Sequence, residues 1–211
     1  MVLNKTIASK TASFLLQINA IKLNIQNPYK WSSGWNSPIY CDNRICLSFP
    51  KIRDFLANSI AEEIKKNVSN NFIIAGVATG AIGIGMLVAN KLNAPFIYVR
   101  PEKKKHGRKN QVEGTLNKNQ KVIVIEDLIS TGKSSLNAVD AIQNNGAKVI
   151  FMIAIFTYGF EIAKKNFTNK NIELKTLCDY NNLIETAKEN NLINEDEIKS
   201  LLRWRKNPEK W

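Results

Sequence analysis

Short apolar runs alternate along the chain with longer segments in which apolar residues recur every three or four positions. The short runs are rich in Ile, Val and Phe and predict four buried strands: FIIAGV (72–77), PFIYVR (95–100), KVIVIE (121–126) and KVIFMIAIF (148–156). The periodic segments between these runs predict helices at 52–66, 82–92 and 134–145. This alternation is typical of an α/β fold with a mainly parallel twisted sheet flanked by helices.

Helical periodicity continues on both sides of the predicted sheet. One helix is expected around residues 9–20, and a helical tail is expected over 183–191 and 195–206. The chain shows no internal repeat, low-complexity linker or second-domain boundary. We therefore predict a single domain over residues 1–211, a length that is sufficient for one hydrophobic core.

Lysine and arginine outnumber the acidic residues by 30 to 18, which gives a formal net charge of +12. Such a charge fits nucleic acid, an anionic substrate or a lysine-rich proteome. The lysines are spread over every segment, however, and concentrate only in KKKHGRK (103–109). No stretch reaches the roughly 18 to 20 apolar residues of a membrane span. We therefore expect no nucleic-acid or membrane partner.

The cysteine pattern bears on the compartment. Cys41, Cys46 and Cys178 are an odd set without metal-ligand spacing, and the first ten residues lack the apolar run of a signal peptide. These features predict reduced thiols and a cytoplasmic location.

The segment RPEKKKHGRKNQVEGT (100–115) fits neither the strand nor the helix pattern. It is polar, cationic and contains glycine, so it has little apolar surface to bury. An insertion of this kind beside the carboxyl ends of strands is a candidate lid, and we place the lid at about residues 101–115.

The segment EDLISTGKSS (126–135) contains Gly-Lys-Ser, the end of the P-loop that binds nucleotide phosphates. A P-loop also requires a glycine five residues before the glycine of this triplet. Counting back from Gly132 leads to Asp127, and Glu126 precedes it. Two carboxylates repel a negatively charged triphosphate, but they accept hydrogen bonds from hydroxyl groups. The sequence therefore argues against an ATPase or GTPase.

The same segment favours a different ligand. The predicted strand delivers Glu126 and Asp127 at its carboxyl end, where open α/β sheets bind ligands. Residues 130–134 then open a predicted helix, whose free amides and dipole can hold one phosphate. Carboxylates for a sugar diol beside amides for a phosphate describe a ribose 5-phosphate. The plainer alternative is that the acids only end a strand and that Ser130 and Thr131 only cap a helix.

The run VIVIEDLISTGKSS (122–135) resembles the signature of the type I phosphoribosyltransferases, which use 5-phosphoribosyl 1-pyrophosphate (PRPP). The resemblance implies their fold, a mainly parallel twisted sheet with a small N-terminal hood, here about residues 1–50. Further segments resemble the orotate-using members: YKWSSGWNSPIYCDNR (29–44), VRPEKKKHGRKNQVEG (99–114) and LLRWRKNPEKW (201–211). The resemblance implies transfer of ribose 5-phosphate from PRPP to orotate in pyrimidine (UMP) synthesis, giving orotidine 5′-phosphate and pyrophosphate.

The resemblance also implies roles for individual residues. On the lid, Arg100, Lys104 and His106 are expected to reach the pyrophosphate of PRPP, and together with Asp127 they are the expected catalytic residues. The other PRPP contacts are expected from two turns and the end of a strand: Thr79, Gly80, Glu126, Asp127, Leu128, Ile129, Ser130, Thr131, Gly132, Lys133 and Ser134.

Orotate contacts, cofactor and assembly follow from the same resemblance. Orotate is expected against Ser130, Tyr40 and Arg44. Mg²⁺ is the expected cofactor, held mainly by PRPP and without a direct protein ligand. In the family the lid closes over the neighbouring subunit's site, which implies a homodimer with the lid acting in trans.

The sequence departs from the family pattern at position 133, and two alternative functions stay open. Lys133 stands where relatives commonly have glycine, and it would be strained if the position required a positive φ. The chain could be a phosphoribosyltransferase for another base. It could also be a non-catalytic regulator of the same fold that senses PRPP, although such a protein would have no need for Lys104 and His106 on a lid.

Overall fold

The protein is described by a computed structural model over residues 2–31, 34–69, 71–102 and 110–211. Its helices within these ranges are α1 (Lys5–Gln17), α2 (Pro50–Asn67), α3 (Ile82–Leu92), α4 (Lys133–Asn144), α5 (Glu161–Asn169), α6 (Tyr180–Glu189) and α7 (Glu195–Lys206). Its strands are β1 (Ile21–Leu23), β2 (Tyr29–Lys30), β3 (Asn36–Ser37), β4 (Ile39–Cys41), β5 (Phe72–Val77), β6 (Phe96–Val99), β7 (Val112–Glu113), β8 (Lys121–Ile129), β9 (Lys148–Thr157) and β10 (Glu173–Asp179). Among the described residues, no helix has both the length and the apolar character needed to cross a bilayer.

The strands β5 to β10 form one sheet in the order β10-β9-β8-β5-β6-β7. Neighbouring strands are parallel, except that β6 and β7 form an antiparallel pair. The predicted α/β fold with a mainly parallel sheet is therefore confirmed. The four predicted strands correspond to β5, β6, β8 and β9, whereas the apolar pattern does not predict the edge strands β7 and β10 or the helix α5.

Both faces of the sheet are covered by helices. In β8, Ile123 and Ile125 pack in a core with α1, α2, α3, α6 and α7, while Val122 and Val124 pack in a second core with α4 and α5. Successive side chains of a strand point to opposite faces. A strand that is buried on both faces reads as a continuous apolar run, which explains the pattern of the KVIVIE segment.

A small cap formed by residues 21–31 and 34–48, which we call the hood, lies at the carboxyl end of β8. It consists of two antiparallel pairs, β1 with β4 and β2 with β3, followed by a 3-10 helix at Asn43–Ser48 that contacts β8. The sequence places the hood at about residues 1–50. Helix α1, however, packs against α6 and β10, so this helix belongs to the body of the domain.

Aromatic side chains attach the hood to the body. The Trp31 ring lies 5.0 Å from the Tyr158 ring and 5.6 Å from the Trp204 ring, measured between centroids. Trp204 is fully buried, and its Nε1 donates a hydrogen bond to the Asn36 carbonyl oxygen at 3.0 Å. Helix α7 therefore helps to hold the hood in its position over the sheet.

We expect Trp204→Phe to lower the free energy of unfolding by about 1 to 3 kcal/mol, because the hydrogen bond to Asn36 and part of the ring volume are lost. The measurement is urea unfolding followed by circular dichroism. Trp211→Phe is the matched control, since Trp211 is only partly buried against the same core. An equal loss in the two variants would contradict the role given to Trp204.

Candidate functional site

The candidate site lies where β8 runs past the end of β5. The pairing of β5 with β8 ends at Gly76 opposite Ile125, so residues 126–129 of β8 extend beyond it. A cavity of about 330 Å³ lies there, between the turn after β5, the end of β8, the loop that leads into α4, and the hood. Larger grooves of about 640 and 790 Å³ lie elsewhere, but neither is lined by the acid pair.

The turn from β8 into α4 forms one wall of the cavity. Gly132 adopts φ = +78° and directly precedes α4. A Cβ atom at this position would lie 2.7 Å from the Phe167 ring, so glycine is required by space as well as by conformation. The amino end of the helix presents unpaired amide groups that suit a phosphate. The hydroxyl residues of the turn line the cavity: Ser130, Thr131 and Ser134.

Lys133 does not carry the positive φ that its replacement of glycine would suggest. The left-handed residue is Gly132, while Lys133 is the exposed first residue of α4. The Lys133 side chain lies in a neighbouring groove with Asp140 and Lys170 and is not among the residues that line the cavity. Lysine therefore causes no backbone strain here, and the main-chain amide is what Lys133 offers to an anion.

Glu126 is almost fully buried beneath the cavity, with 5% of its surface exposed. Its Oε2 accepts a hydrogen bond from Ser135 Oγ at 2.7 Å, and its Oε1 accepts one from the Asp127 amide at 3.0 Å. Burial, and secondarily the charge of Asp127, raises the pKa of Glu126 well above its ordinary value. The Glu126 carboxyl group is thus fixed at the base of the site by Ser135.

Asp127 faces the turn that follows β5. A methyl group added at Gly80 would overlap the Asp127 carboxyl group, so the acid lies directly against the backbone of this turn. The Ala78–Thr79 peptide of the turn is cis, and Ala78, Thr79 and Gly80 all line the cavity. The second acid and the turn after β5 are therefore brought together at the cavity.

The hood supplies the opposite wall. Arg44 lines the cavity and pairs with Asp42 through two hydrogen bonds, Nε to Oδ1 at 2.7 Å and Nη2 to Oδ2 at 2.9 Å. These bonds lower the pKa of Asp42 and raise the pKa of Arg44, so both groups are charged at neutral pH. Cys41 lines the same wall, and burial raises the pKa of its thiol well above 9.0, which disfavours the thiolate.

Some predicted site residues lie away from the cavity. Ile129 is fully buried in the core, because the alternation of β8 turns its side chain inward. Tyr40 is 42% exposed and packs against the Tyr29 ring, with centroids 5.5 Å apart. Arg100 directly follows β6, and its Nη1 lies 3.7 Å from Glu113 Oε1. Lys104 and His106 lie outside the described residues.

The predicted lid, residues 101–115, is shorter at its carboxyl end than the sequence suggested. Residues 112–113, inside the predicted range 101–115, form β7 at the edge of the sheet, where Val112 pairs with Val99. The Arg100 amide donates to the Gln111 carbonyl oxygen at 2.9 Å and extends this hairpin by one step. Arg100 therefore stands at the base of the segment that carries Lys104 and His106.

Several residues that support the site are not singled out by the sequence reasoning. Ser135 binds Glu126, and Asn166 Nδ2 donates to the Thr131 carbonyl oxygen at 2.9 Å. Asn43 Nδ2 donates to the Asp127 carbonyl oxygen at 2.6 Å. Ser135, the last residue of the run 122–135, was a readable signal, whereas the two asparagines act across 35 and 84 residues of sequence.

The donor set of the cavity bears on Mg²⁺. Among the described residues, no group of three or more His, Cys, Asp or Glu side chains is arranged to hold a metal ion. The acids that line the cavity are Asp42, Glu126 and Asp127, and the first two already bind Arg44 and Ser135. A hard cation that retains several waters and phosphate ligands needs only one or two carboxylates, so the residues fit an ion carried by a phosphorylated ligand.

Comparison with known proteins adds independent evidence. The family model described as "Phosphoribosyl transferase domain" matches residues 49–181. The orotate phosphoribosyltransferase of Cytophaga hutchinsonii is 49% identical over 202 residues, which cover 96% of this chain and 97% of that relative. The solved orotate phosphoribosyltransferase of Aeropyrum pernix has a TM-score of 0.74 and 25% identity, covering 87% of this chain and 99% of its own.

A second solved structure supports the fold alone. The UMP synthase of Leishmania donovani has a TM-score of 0.77 at 22% identity, and the match covers 96% of this chain but only 42% of that longer chain. The fold is therefore shared by proteins whose sequences have diverged widely.

We expect Gly80→Ala to lower the free energy of unfolding by about 1 to 3 kcal/mol, because the new methyl group displaces the Asp127 carboxyl group. The loss should be smaller in an Asp127→Ala background, where the atoms that the methyl group would overlap are absent. A double-mutant cycle of urea unfolding measures the coupling. Additive losses would show that Gly80 and Asp127 do not constrain each other.

The buried Glu126 should make the free energy of unfolding depend on pH in a specific direction. Because its pKa is raised in the folded protein, the folded state binds more protons than the unfolded state above the ordinary value of 4.5. The stability of the wild type relative to Glu126→Gln should therefore fall as the pH rises from 4.5 toward the folded pKa. Urea unfolding of both proteins over a pH series measures this difference. A wild type that gains stability relative to Glu126→Gln as the pH rises would contradict a raised pKa of the buried acid.

Proposed function

Because the chain belongs to the phosphoribosyltransferase family, we propose that it is an orotate phosphoribosyltransferase. The reaction joins a ring nitrogen of orotate to the anomeric carbon of PRPP and releases pyrophosphate. Its product is orotidine 5′-phosphate, an intermediate of pyrimidine synthesis. The enzyme is thus a pentosyltransferase.

One observation carries the proposal: the acid pair, the amide turn and a cationic hood residue line the same cavity. Its volume of about 330 Å³ lies within the range of small-molecule sites. The diol and the phosphate of a ribose 5-phosphate need acceptors and donors side by side, and Asp127 and the turn at 130–134 supply them. This supports PRPP as the ligand of the β8 side of the cavity.

The two acids are suited to different tasks. Asp127 lies in the cavity against Gly80, where its carboxyl group can accept hydrogen bonds from the ribose hydroxyls. Glu126 is held by Ser135 and by the Asp127 amide. We infer that Asp127 makes the direct sugar contacts and that Glu126 sets the position of the segment and completes the hydrogen bonding below the ribose.

The hood wall suits an anionic planar base. Arg44 lines the cavity and is held by Asp42 through two hydrogen bonds, from Nε and Nη2, so that its other N–H groups are available to an anion. Orotate carries a carboxylate, for which a guanidinium is a good partner. Arg44 and Ser130 lie on the cavity wall, so we retain both as orotate contacts, whereas Tyr40 would contribute only at its rim.

The protein's part in the reaction is electrostatic and positional. Orotate supplies the nucleophilic nitrogen, and the site holds this nitrogen against the anomeric carbon. As the bond to pyrophosphate breaks, positive charge grows on the sugar and negative charge on the leaving group. Arg100, Lys104 and His106 are proposed to neutralise the pyrophosphate when the lid closes, in trans across a homodimer, and lid closure would exclude water from the cationic sugar.

Mg²⁺ is proposed as the cofactor, which the PRPP oxygens would mainly hold, without a direct protein ligand. When bound, the ion supplies charge neutralisation of the pyrophosphate oxygens. This chain's own residues then orient the ribose through Asp127 and anchor its phosphate through the amides of 130–134.

The test is to incubate the protein with PRPP, Mg²⁺ and orotate, uracil or a purine base, and to follow pyrophosphate release. We expect turnover with orotate at least about 100-fold faster than with the other bases, because the carboxylate partner of Arg44 is missing from them.

Arg44→Ala should raise the KM for orotate about 10-fold or more and change the KM for PRPP less. Turnover of another base alone would replace the orotate assignment, and PRPP binding without turnover of any base would favour a regulator.

A further inference from the structure

Asn43 is a buried polar residue of the hood whose amide is engaged at both ends. Only 2% of its surface is exposed. Its Nδ2 donates a hydrogen bond to the Asp127 carbonyl oxygen at 2.6 Å, and its Oδ1 accepts one from the Cys41 thiol at 3.2 Å. These two bonds fix the orientation of the amide. The hood is therefore tied to the residue that carries the second acid of the cavity.

The bond falls on the part of β8 that extends past β5. The pairing of β5 with β8 ends at Ile125, and Asp127 lies two residues beyond it. The carbonyl group that Asn43 binds and the carboxyl group that faces the cavity belong to the same residue, so a shift of this main-chain segment moves the acid. Asn43 thus contacts the strand at the residue whose carboxyl group borders the cavity.

The same hood segment also carries the cationic wall of the cavity. Arg44 directly follows Asn43, and its guanidinium is held by Asp42, which directly precedes it. A displacement of Asn43 would therefore move Arg44 and Asp127 together. The hydrogen bond joins the base side of the cavity to the sugar side.

We propose that Asn43 is a positioning residue that sets the distance between the base-binding wall of the hood and the sugar-binding acid Asp127. This inference rests on the proposed function, because it assumes that both walls bind substrates of one reaction. Asn43 does not touch the reacting atoms. Its effect reaches them through the Asp127 main chain and through the segment that carries Arg44.

The first test compares Asn43→Leu and Asn43→Asp with the wild type. Leucine keeps a similar volume without the donor, and aspartate keeps the shape but replaces the amide donor by an acceptor. We expect kcat/KM for PRPP and for orotate to fall together by about 10- to 100-fold in Asn43→Leu, and in Asn43→Asp at a pH where the new carboxyl group is ionised, because a small misplacement of reacting groups is costly. Both kinetic constants are measured at a temperature where circular dichroism shows each variant to be fully folded.

Asn145→Ala is the matched control. Asn145 Nδ2 donates to the Ala141 carbonyl oxygen at 2.8 Å, at the carboxyl end of α4 and away from the cavity. Losing this amide-to-carbonyl bond should leave both values of kcat/KM within about twofold of the wild type. A merely stabilising role of Asn43 predicts that its variants, once fully folded, behave like this control.

A pH profile gives a second readout that a merely structural role would not produce. A protonated aspartate at position 43 has an O–H donor and can restore the bond to the Asp127 carbonyl oxygen. The activity of Asn43→Asp relative to the wild type should therefore rise as the pH falls. The ratio isolates the new carboxyl group, because the other titratable or charged groups around this position are the same in both proteins. These groups are Cys41, Asp42, Arg44, Cys46, Glu126 and Asp127.

The outcomes separate this inference from the proposed function. If the wild type is active and both folded Asn43 variants have the same kcat/KM as the wild type, the positioning role is overturned and the proposed function stands. If the wild type binds PRPP but does not use orotate, the function fails, and a loss of PRPP affinity in the Asn43 variants, measured by calorimetry, still supports the positioning of Asp127. If the wild type neither binds PRPP nor uses orotate, both proposals fail.

Discussion

The active cavity depends on a difference in length between two neighbouring strands. Strand β8 has nine residues and β5 has six, and the two begin in register at Lys121 and Phe72. The last residues of β8 therefore lack the neighbouring strand on one side, and the space beside them is open. The turn after β5 and the hood fill the margins of this space, and what remains is the cavity.

A strand end without its neighbour must satisfy its main-chain groups in another way. Asn43 and Glu126 do so at Asp127, one at its carbonyl oxygen and the other at its amide. The hood is held at a second place by Trp204, whose indole binds the Asn36 carbonyl. The site is thus built from three distant parts of the chain, and its geometry is only as fixed as these hydrogen bonds and the aromatic contacts beside them.

The two adjacent acids Glu126 and Asp127 differ in burial and therefore in their roles. Burial raises the pKa of Glu126, which favours a role in holding Ser135 and the main chain. Asp127 borders the cavity against Gly80, where it can meet a ligand. On the opposite wall, Asp42 binds the Arg44 guanidinium through two hydrogen bonds. A cavity with an acceptor on one wall and a fixed cation on the other suits a neutral sugar diol joined to an anionic base.

The sequence by itself determined the long buried strands, the mainly parallel sheet and the placing of the acid pair directly before a turn that opens a helix, over residues 126–134. These features depend on contiguous residues, because a strand buried on both faces must be apolar throughout and a helix that opens after glycine must present its free amides. The edge strands β7 and β10 escaped prediction because two residues carry no period and because ELKTLCD mixes polar with apolar positions.

Only the tertiary structure decided which residues reach the cavity. It turned Ile129 into the core, set Lys133 outside the cavity, and joined Asn43 to Asp127 and Asn166 to Thr131 across long stretches of chain. These contacts depend on the register of β8 against β5 and on how the hood packs over it. No local pattern encodes them, since side-chain contacts across a fold follow from the distances between elements and not from spacing along one of them.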